Sequence, residues 1–295
     1  MKDFYNSILV PTDFSEQSLI ALEQTYNLAY LNNVNITLLH VIPENTGVSF
    51  IPFFSKVQSK LMTKQYQDEC MAKLSKIIEK AAKKTKVTIR PLLETGKVYE
   101  KIIEVSELIF AKYISLGVNS MALDSKKRSY LGSNTLRVLK EARCPVLTIR
   151  GKNFRNGCNT IVLPLDLTKE TKTKVQKAIE LAKYYDATIK VFSALLTDDT
   201  VVVNKLTEQI QDVQKYIFER NVVCSAELRN GIKGKDTLVS LILNYANEVE
   251  ADLLMIMTQQ ENDWVEYFVG STAQAIISQS NIPVMSLSPQ NMINI

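Results

Sequence analysis

Two glycine-serine pairs carry the sharpest chemical suggestion in this chain. Gly132-Ser133 stands directly before a helical pattern, and Gly270-Ser271 does the same 138 positions later. A residue without a side chain lets an anion approach the backbone. The amides that follow and the serine hydroxyl then donate hydrogen bonds at the positive end of the helix dipole. The same spacing also suits Ser133 as the N-cap of its helix, and the two readings stay open. Other candidates close apolar runs: Thr12-Asp13 after SILVP, His40-Val41 within NITLLHVI, and Gly117 after YISL. In open α/β sheets ligands lie outside the carboxyl ends of the strands, where the strand order reverses. Asp13 and its counterpart Asp166 serve equally well as turn formers after a strand. His40, the one histidine of the chain, reads as a core or rim residue, because no Ser–His–Asp spacing accompanies it.

Several sharper motifs fail. Gly231-Ile232-Lys233-Gly234-Lys235-Asp236 resembles a P-loop but lacks four residues between its glycines and a final Ser or Thr. No Gly-x-Gly-x-x-Gly follows the first strand, and PTDFSEQS is not the Ser-Gly-Gly-x-Asp-Ser loop of adenylating enzymes. Cys70, Cys144, Cys158 and Cys224 are scattered without a Cys-x-x-Cys pair, so zinc sites and Cys–His catalysis lack their ligands and reduced thiols are expected. A net charge of +4 without a basic run interleaved with aromatics argues against a nucleic-acid surface. The N-terminus does not read as a signal peptide, and no stretch approaches the apolar length of a spanning helix. The expectation is a cytoplasmic protein without membrane or nucleic-acid partners.

The elements that must position these residues occur twice. SILVPTD at 7–13 is answered by TIVLPLD at 160–166, and Cys144-Pro145-Val146 by Ile282-Pro283-Val284. The offset of 153 at the aspartates drops to 138 at the later pairs, so the second copy is shorter by fifteen residues. A period of this length is a duplicated domain rather than a solenoid unit. In 295 residues it predicts domains at 1–150 and 158–289, joined by the polar run GKNFRNGC.

Within each copy β-rich runs alternate with helical patterns, the arrangement of a parallel sheet covered by helices. In the first, strands are expected at 7–12, 35–42, 87–94, 113–117 and 145–150. Helices are expected at 15–31, with Leu19, Leu22, Tyr26 and Ala29 facing the sheet, and at 54–83, 97–110 and 133–143. The second copy repeats this with a shorter helix, near 201–219, in place of 54–83. Fold class is therefore α/β, two repeats of a five-stranded parallel-sheet sandwich. The final strands VLTIR and VMSLS are expected at sheet edges, where they could pair within the chain.

Strand-Pro-x-Asp, a glycine closing the fourth strand, Gly-Ser before the last helix and a Cys-Pro-Val final strand together resemble the universal stress protein family, through both halves. The resemblance implies an adenine nucleotide alpha hydrolase-like fold, packed as an intrachain pseudo-dimer through the final strands, with a homodimer also open. It implies binding of ATP, or of ADP or AMP, with Mg²⁺ held through phosphates alone. Asp13 would then accept from the ribose or the adenine edge, beside Thr12, and the Val41 backbone would pair with adenine. Gly117, Asn119 and Ser120 would line the triphosphate, and Gly132, Ser133, Asn134 and Thr135 would hold its outer oxygens. Lys126, Lys127 and Arg128 lie in the intervening loop.

Nucleotide-binding members carry Gly-x2-Gly-x9-Gly-(Ser/Thr). Here Ser120 replaces the second glycine, and Gly132 stands fifteen rather than thirteen residues after Gly117. In the second half Met257 and Gln260 fill both glycine positions, and Glu261, Asp263 and Glu266 follow. That half is expected not to bind nucleotide. The alternative for the whole chain is a scaffold of the same family without a ligand.

Overall fold

A computed structural model describes residues 4–44, 56–118, 131–151, 157–165, 171–258 and 269–288. The chain divides into two compact units, Met1–Gly117 and Val118–Ile295. The first unit holds β1 (Ile8–Pro11), α1 (Glu16–Leu31), β2 (Ile36–Ile42), α2 (Lys56–Ala81), β3 (Ile89–Thr95), α3 (Val98–Leu108) and β4 (Tyr113–Gly117). Its strands run in the order β3-β2-β1-β4, all parallel. β2 is buried at all seven residues, as a parallel strand covered on both faces must be. Pro91 lies in the outermost strand, where a missing N–H is tolerated.

The second unit holds α4 (Ser133–Glu141), β5 (Val146–Ile149), β6 (Thr160–Pro164), α5 (Thr171–Tyr185), β7 (Thr188–Leu195) and α6 (Thr200–Phe218). It continues with β8 (Cys224–Asn230), α7 (Leu238–Glu248), β9 (Leu253–Met257), α8 (Ser271–Gln279) and β10 (Val284–Leu287). Here the order is β5-β10-β9-β6-β7-β8. All neighbours are parallel except β5 and β10, which pair antiparallel with Met285 opposite Leu147. The Thr148 hydroxyl donates to the Val284 carbonyl at 3.1 Å across that pair. β10 is thus an interior strand between β9 and β5, not the edge expected from its length, and the outer strand beyond β7 is β8.

Register locates the lost residues. Ile36 on β2 and Ile189 on β7 are 153 apart, whereas their partners Ile89 and Cys224 are only 135 apart. The shortening therefore falls between the second and third strands of the copy, where α6 is shorter than α2. Five positions return before the fourth strand, because Tyr113 and Leu253 are 140 apart. They belong to the turn after β8.

Helix ends repeat as well. After α1 and α5 the chain turns through Asn33 and Asp186 at φ 51° and 55°, and after α3 and α7 through Phe110 and Glu250 at 50° and 49°. Each left-handed residue lets the following amide reach back over the last turn: Val34 to the Ala29 carbonyl, Ala187 to Ala182, Ala111 to Ser106 and Ala251 to Ala246, at 2.8–3.0 Å. This is the Schellman closure, which satisfies carbonyls a helix end would otherwise strand.

The buried face of α1 differs from the expected one. Ser18, Ala21, Leu22, Thr25, Leu28 and Ala29 are buried, while Leu19 and Tyr26 are only half-buried. The reason is close approach to β4: a Cβ added to Gly117 would lie 2.5 Å from the Gln17 carbonyl oxygen and 2.8 Å from the Ser18 amide. Small side chains fit that gap, and Thr25 donates to the Ala21 carbonyl at 2.7 Å while bonding the Ser115 hydroxyl. The larger apolar residues are displaced to the flanks. In α5 the expected stripe of Val175, Ala178, Ile179 and Ala182 is fully buried.

All four cysteines are free thiols. Burial pushes Cys144 up to about 12 and Cys224 up to about 11. Since a thiolate is the reactive form, alkylation of native Cys144 at pH 8 is expected about a thousandfold slower than that of an unperturbed thiol. Labelling followed by mass spectrometry, with and without denaturant, checks this.

The glycines generate a second expectation. Gly117→Ala drives a methyl into the α1 backbone and should destabilise by about 2–3 kcal/mol. Gly132→Ala, with nothing within 4 Å of the new Cβ, should cost less than about 1 kcal/mol. Paired thermal melts measure both.

Candidate functional site

The expected residues fall into two groups. Thr12, Asp13, Val41 and Gly117 belong to the first unit, and Gly132, Ser133, Asn134 and Thr135 to the second. Asn119, Ser120, Lys126, Lys127 and Arg128 lie outside the described residues, as do Asp166, Gln260, Glu261, Asp263 and Glu266.

In the first unit the site begins where β1 stops. The last β1–β2 pair is Pro11 with Leu39, and the Thr12 amide donates to the Leu39 carbonyl at 2.8 Å. The chain then leaves the sheet while β2 continues through His40, Val41 and Ile42 alongside β3. In a parallel strand alternate residues aim their amide and carbonyl to opposite sides. Leu39 faces β1, and Ile42, whose carbonyl accepts from the Gly96 amide at 3.0 Å, faces β3. Val41 therefore presents its N–H and C=O toward the β1 side, past the last β1 pair. A donor and an acceptor side by side on a strand overhang form the pattern that reads a planar heterocycle edge.

Asp13 opens the turn into α1. Its Oδ1 accepts from the Ser15 amide at 3.0 Å and the Ser15 hydroxyl at 2.5 Å. Ser15 in turn caps α1, accepting from the Ser18 amide. Burial pushes the Asp13 carboxyl up, but the Ser15 hydroxyl and amide outweigh it and leave the group below its ordinary value. Asp13 is thus an exposed, ionised acceptor at neutral pH and the turn former of α1 at once. Phe14 follows at φ 65°, a conformation costly for a bulky residue. It lays its ring on His40 with centroids 4.2 Å apart. Sequence reading missed Phe14, since nothing in its type signals a left-handed backbone.

His40 is buried, and its Nδ1 lies 2.8 Å from the Thr12 carbonyl oxygen. A carbonyl only accepts, so Nδ1 carries the proton. The rim reading is correct in placement, and the hydrogen bond gives it a reason: the Thr12 carbonyl has left the ladder and needs a donor. Gly117 has its own structural reason, the close passage of α1.

In the second unit Gly132, not Ser133, is the N-cap of α4, at φ −59° and ψ 147°, without a side-chain cap hydrogen bond. Ser133 is the first helical residue, and Ser133 and Asn134 are exposed. The cap carbonyl accepts from Leu136 at 3.1 Å, so the amides of 133–135 precede the first intrahelical donor. Gly270 caps α8 in the same geometry, at φ −56° and ψ 146°.

The second copy departs at the β6 end. Lys174, the counterpart of Ala21, is buried, and its Nζ donates to the Pro164 carbonyl at 2.6 Å. The Ser193 hydroxyl, at the position of His40, donates to the Leu165 carbonyl at 3.0 Å. Met257 ends β9 where glycine ends β4. Aligning the two halves would have revealed Lys174, a charged residue on an otherwise apolar stripe. The P-loop-like run is a structural turn: Gly234 has φ 87°, the Asp236 carboxylate accepts from the Ile232 amide at 2.8 Å, and Thr237 closes a capping box with Ser240 on α7. Among the described residues no three His, Cys, Asp or Glu gather as a metal site, and no helix is long and apolar enough to cross a membrane.

Known proteins match this chain in sequence and in fold. The universal stress protein MJ0577 of Methanocaldococcus jannaschii is 28% identical over 164 residues, 52% of this chain and 99% of that protein. YxiE of Bacillus subtilis is 28% identical over 156 residues, 50% of this chain and 99% of that protein. A universal stress protein from Archaeoglobus fulgidus superposes with a TM-score of 0.74 at 19% identity, covering 96% of this chain and 98% of that one. A universal stress protein from Archaeoglobus fulgidus has also been solved in complex with dAMP; it matches with a TM-score of 0.36 at 21% identity, covering 43% of this chain and 96% of that one. The family model for universal stress proteins matches twice, over residues 4–150 and 158–287, and the chain belongs to the universal stress protein family.

Proposed function

We propose that this chain is a stress-response module of the cytoplasm that binds an adenine nucleotide, ATP or its di- or monophosphate, in its first repeat only. The repeats proposed as functional domains are 1–150 and 158–289, joined as an intrachain pseudo-dimer through β5 and β10. The observation that carries the reading is the overhang of β2: Val41 offers a backbone donor and acceptor past the end of β1, beside the ionised Asp13. That combination suits an adenine edge and a ribose hydroxyl. Thr12 and Gly117 border the same strand ends. Asn119 and Ser120, with the α4 amides of Gly132, Ser133, Asn134 and Thr135, would take the phosphates, and Mg²⁺ would bind through phosphate oxygens alone.

The second repeat is read as silent. Lys174 spends its amine on the Pro164 carbonyl, and Met257 replaces a glycine. No side chain is assigned a catalytic step. Binding, with the bound state altering affinity for a partner, is the activity proposed.

Thermal unfolding with and without millimolar ATP, ADP and AMP tests this. A ligand held only by the folded state stabilises by about 2.7 kcal/mol at a hundred times its Kd. The expected result is a rise in Tm with adenine nucleotides. Gly132→Trp should abolish the rise and Gly270→Trp should leave it; the added Cβ meets no atom within 3.4 Å at either position, and melts of the ligand-free variants check that each still folds. Absence of any shift would favour the scaffold reading.

A further inference from the structure

His40 carries one atom that its structural task does not use. The residue is 8% exposed, Nδ1 is committed to the Thr12 carbonyl, and Nε2 is buried with no hydrogen-bond partner among the described residues. With the proton on Nδ1, Nε2 is a bare acceptor, and leaving such a group unpaired in the interior costs about 1–3 kcal/mol.

The second repeat shows that folding does not require it. There the same strand-end carbonyl is satisfied by Ser193, a residue with a donor and no distal ring atom. Ile36 aligns with Ile189 through matched pairing to β1 and β6, which makes His40 and Ser193 equivalent. The repeat read as silent keeps the donor alone, and the repeat read as active adds an acceptor next to Val41. The Phe14 ring, held at a strained φ, covers the imidazole face, and the Lys73 ammonium lies 5.5 Å from that ring.

We propose that Nε2 of His40 is a specificity-determining acceptor that takes a hydrogen bond from an N–H or O–H donor of the adenosine part of the bound nucleotide. This rests on the nucleotide-binding reading above and deepens it. The two donors consistent with this chemistry are the 6-amino group of the base and a ribose hydroxyl. Selection follows from sign: a bare acceptor rewards an amino group and penalises a keto oxygen at the same place.

Because the chain has a single histidine, its ¹⁵N imidazole signals are assigned without ambiguity. Titration of the full-length protein with ATP should move the Nε2 resonance while Nδ1 stays protonated. An inosine nucleotide that leaves Nε2 unmoved identifies the 6-amino group as donor, and a dideoxyadenosine nucleotide that does so identifies a ribose hydroxyl. If ATP raises Tm but Nε2 does not respond, or responds equally to both analogues, the role of His40 is overturned and nucleotide binding stands. If no nucleotide binds, both readings fall.

His40→Ser, the second repeat's own solution, should keep the Thr12 hydrogen bond and the fold while lowering ATP affinity about tenfold. Unchanged affinity would overturn the proposal. Should that variant not fold, the wild-type titration decides alone.

Discussion

The arrangement depends on one backbone carbonyl, that of the residue where the first strand of each repeat leaves the sheet. At Thr12 and at Leu165 the chain stops pairing while the neighbouring strand runs on, and the carbonyl loses its ladder partner in a buried place. An unpaired carbonyl there would cost as much as several surface interactions supply. Both repeats solve this with a side chain from the neighbouring strand, the imidazole of His40 or the hydroxyl of Ser193. Once the carbonyl is held, β2 can overhang β1, and the overhang leaves a donor and an acceptor of Val41 directed past the end of β1. The Asp13 turn, the cap of α1 and the placement of Phe14 all follow from the point at which the chain departs.

Much of this was legible because duplication wrote it twice. Strand and helix order followed from apolar period, and the fourth-strand glycine and both Gly-Ser pairs marked real strand and helix ends. The strand overhang was not legible, since it depends on register between strands that are distant in sequence. The α1 face was misread for a related reason: periodicity favours the largest apolar residues, while the backbone of α1 passes close to Gly117 and its buried face includes the small residues Ser18, Ala21 and Thr25 beside Leu22, Leu28 and Ala29. Left-handed helix ends at Asn33 and Asp186 use residue types that permit them. At Phe110 and Glu250 nothing in the residue type does, and the Schellman closure overrides the local preference. The final strands looked like edges because they are short; β10 is interior because its partner is β5, more than a hundred residues earlier.

The comparison of repeats also separates what folding needs from what a ligand needs. Features shared by both copies, such as the carbonyl-holding side chain, the glycine caps of α4 and α8 and the helix closures, are explained by backbone satisfaction alone. Gly132 therefore cannot by itself argue for a phosphate, because Gly270 adopts the same geometry in a copy whose strand end holds Lys174. Features confined to the first copy carry more weight. Ala21 in place of a lysine removes the ammonium that in the second copy donates to the Pro164 carbonyl, glycine in place of methionine trims the fourth strand, and histidine in place of serine adds an acceptor.

These three differences act on one strand-end region but through different physics: removal of a charge, removal of volume, and addition of a polar atom. At this strand end the second copy fills space and satisfies its polar atoms, with Lys174 donating to the Pro164 carbonyl and Ser193 to the Leu165 carbonyl. The first leaves Nε2 of His40 buried and without a hydrogen-bond partner among the described residues. On the reading proposed above, the partner of Nε2 is a group of the ligand rather than a side chain of the repeat.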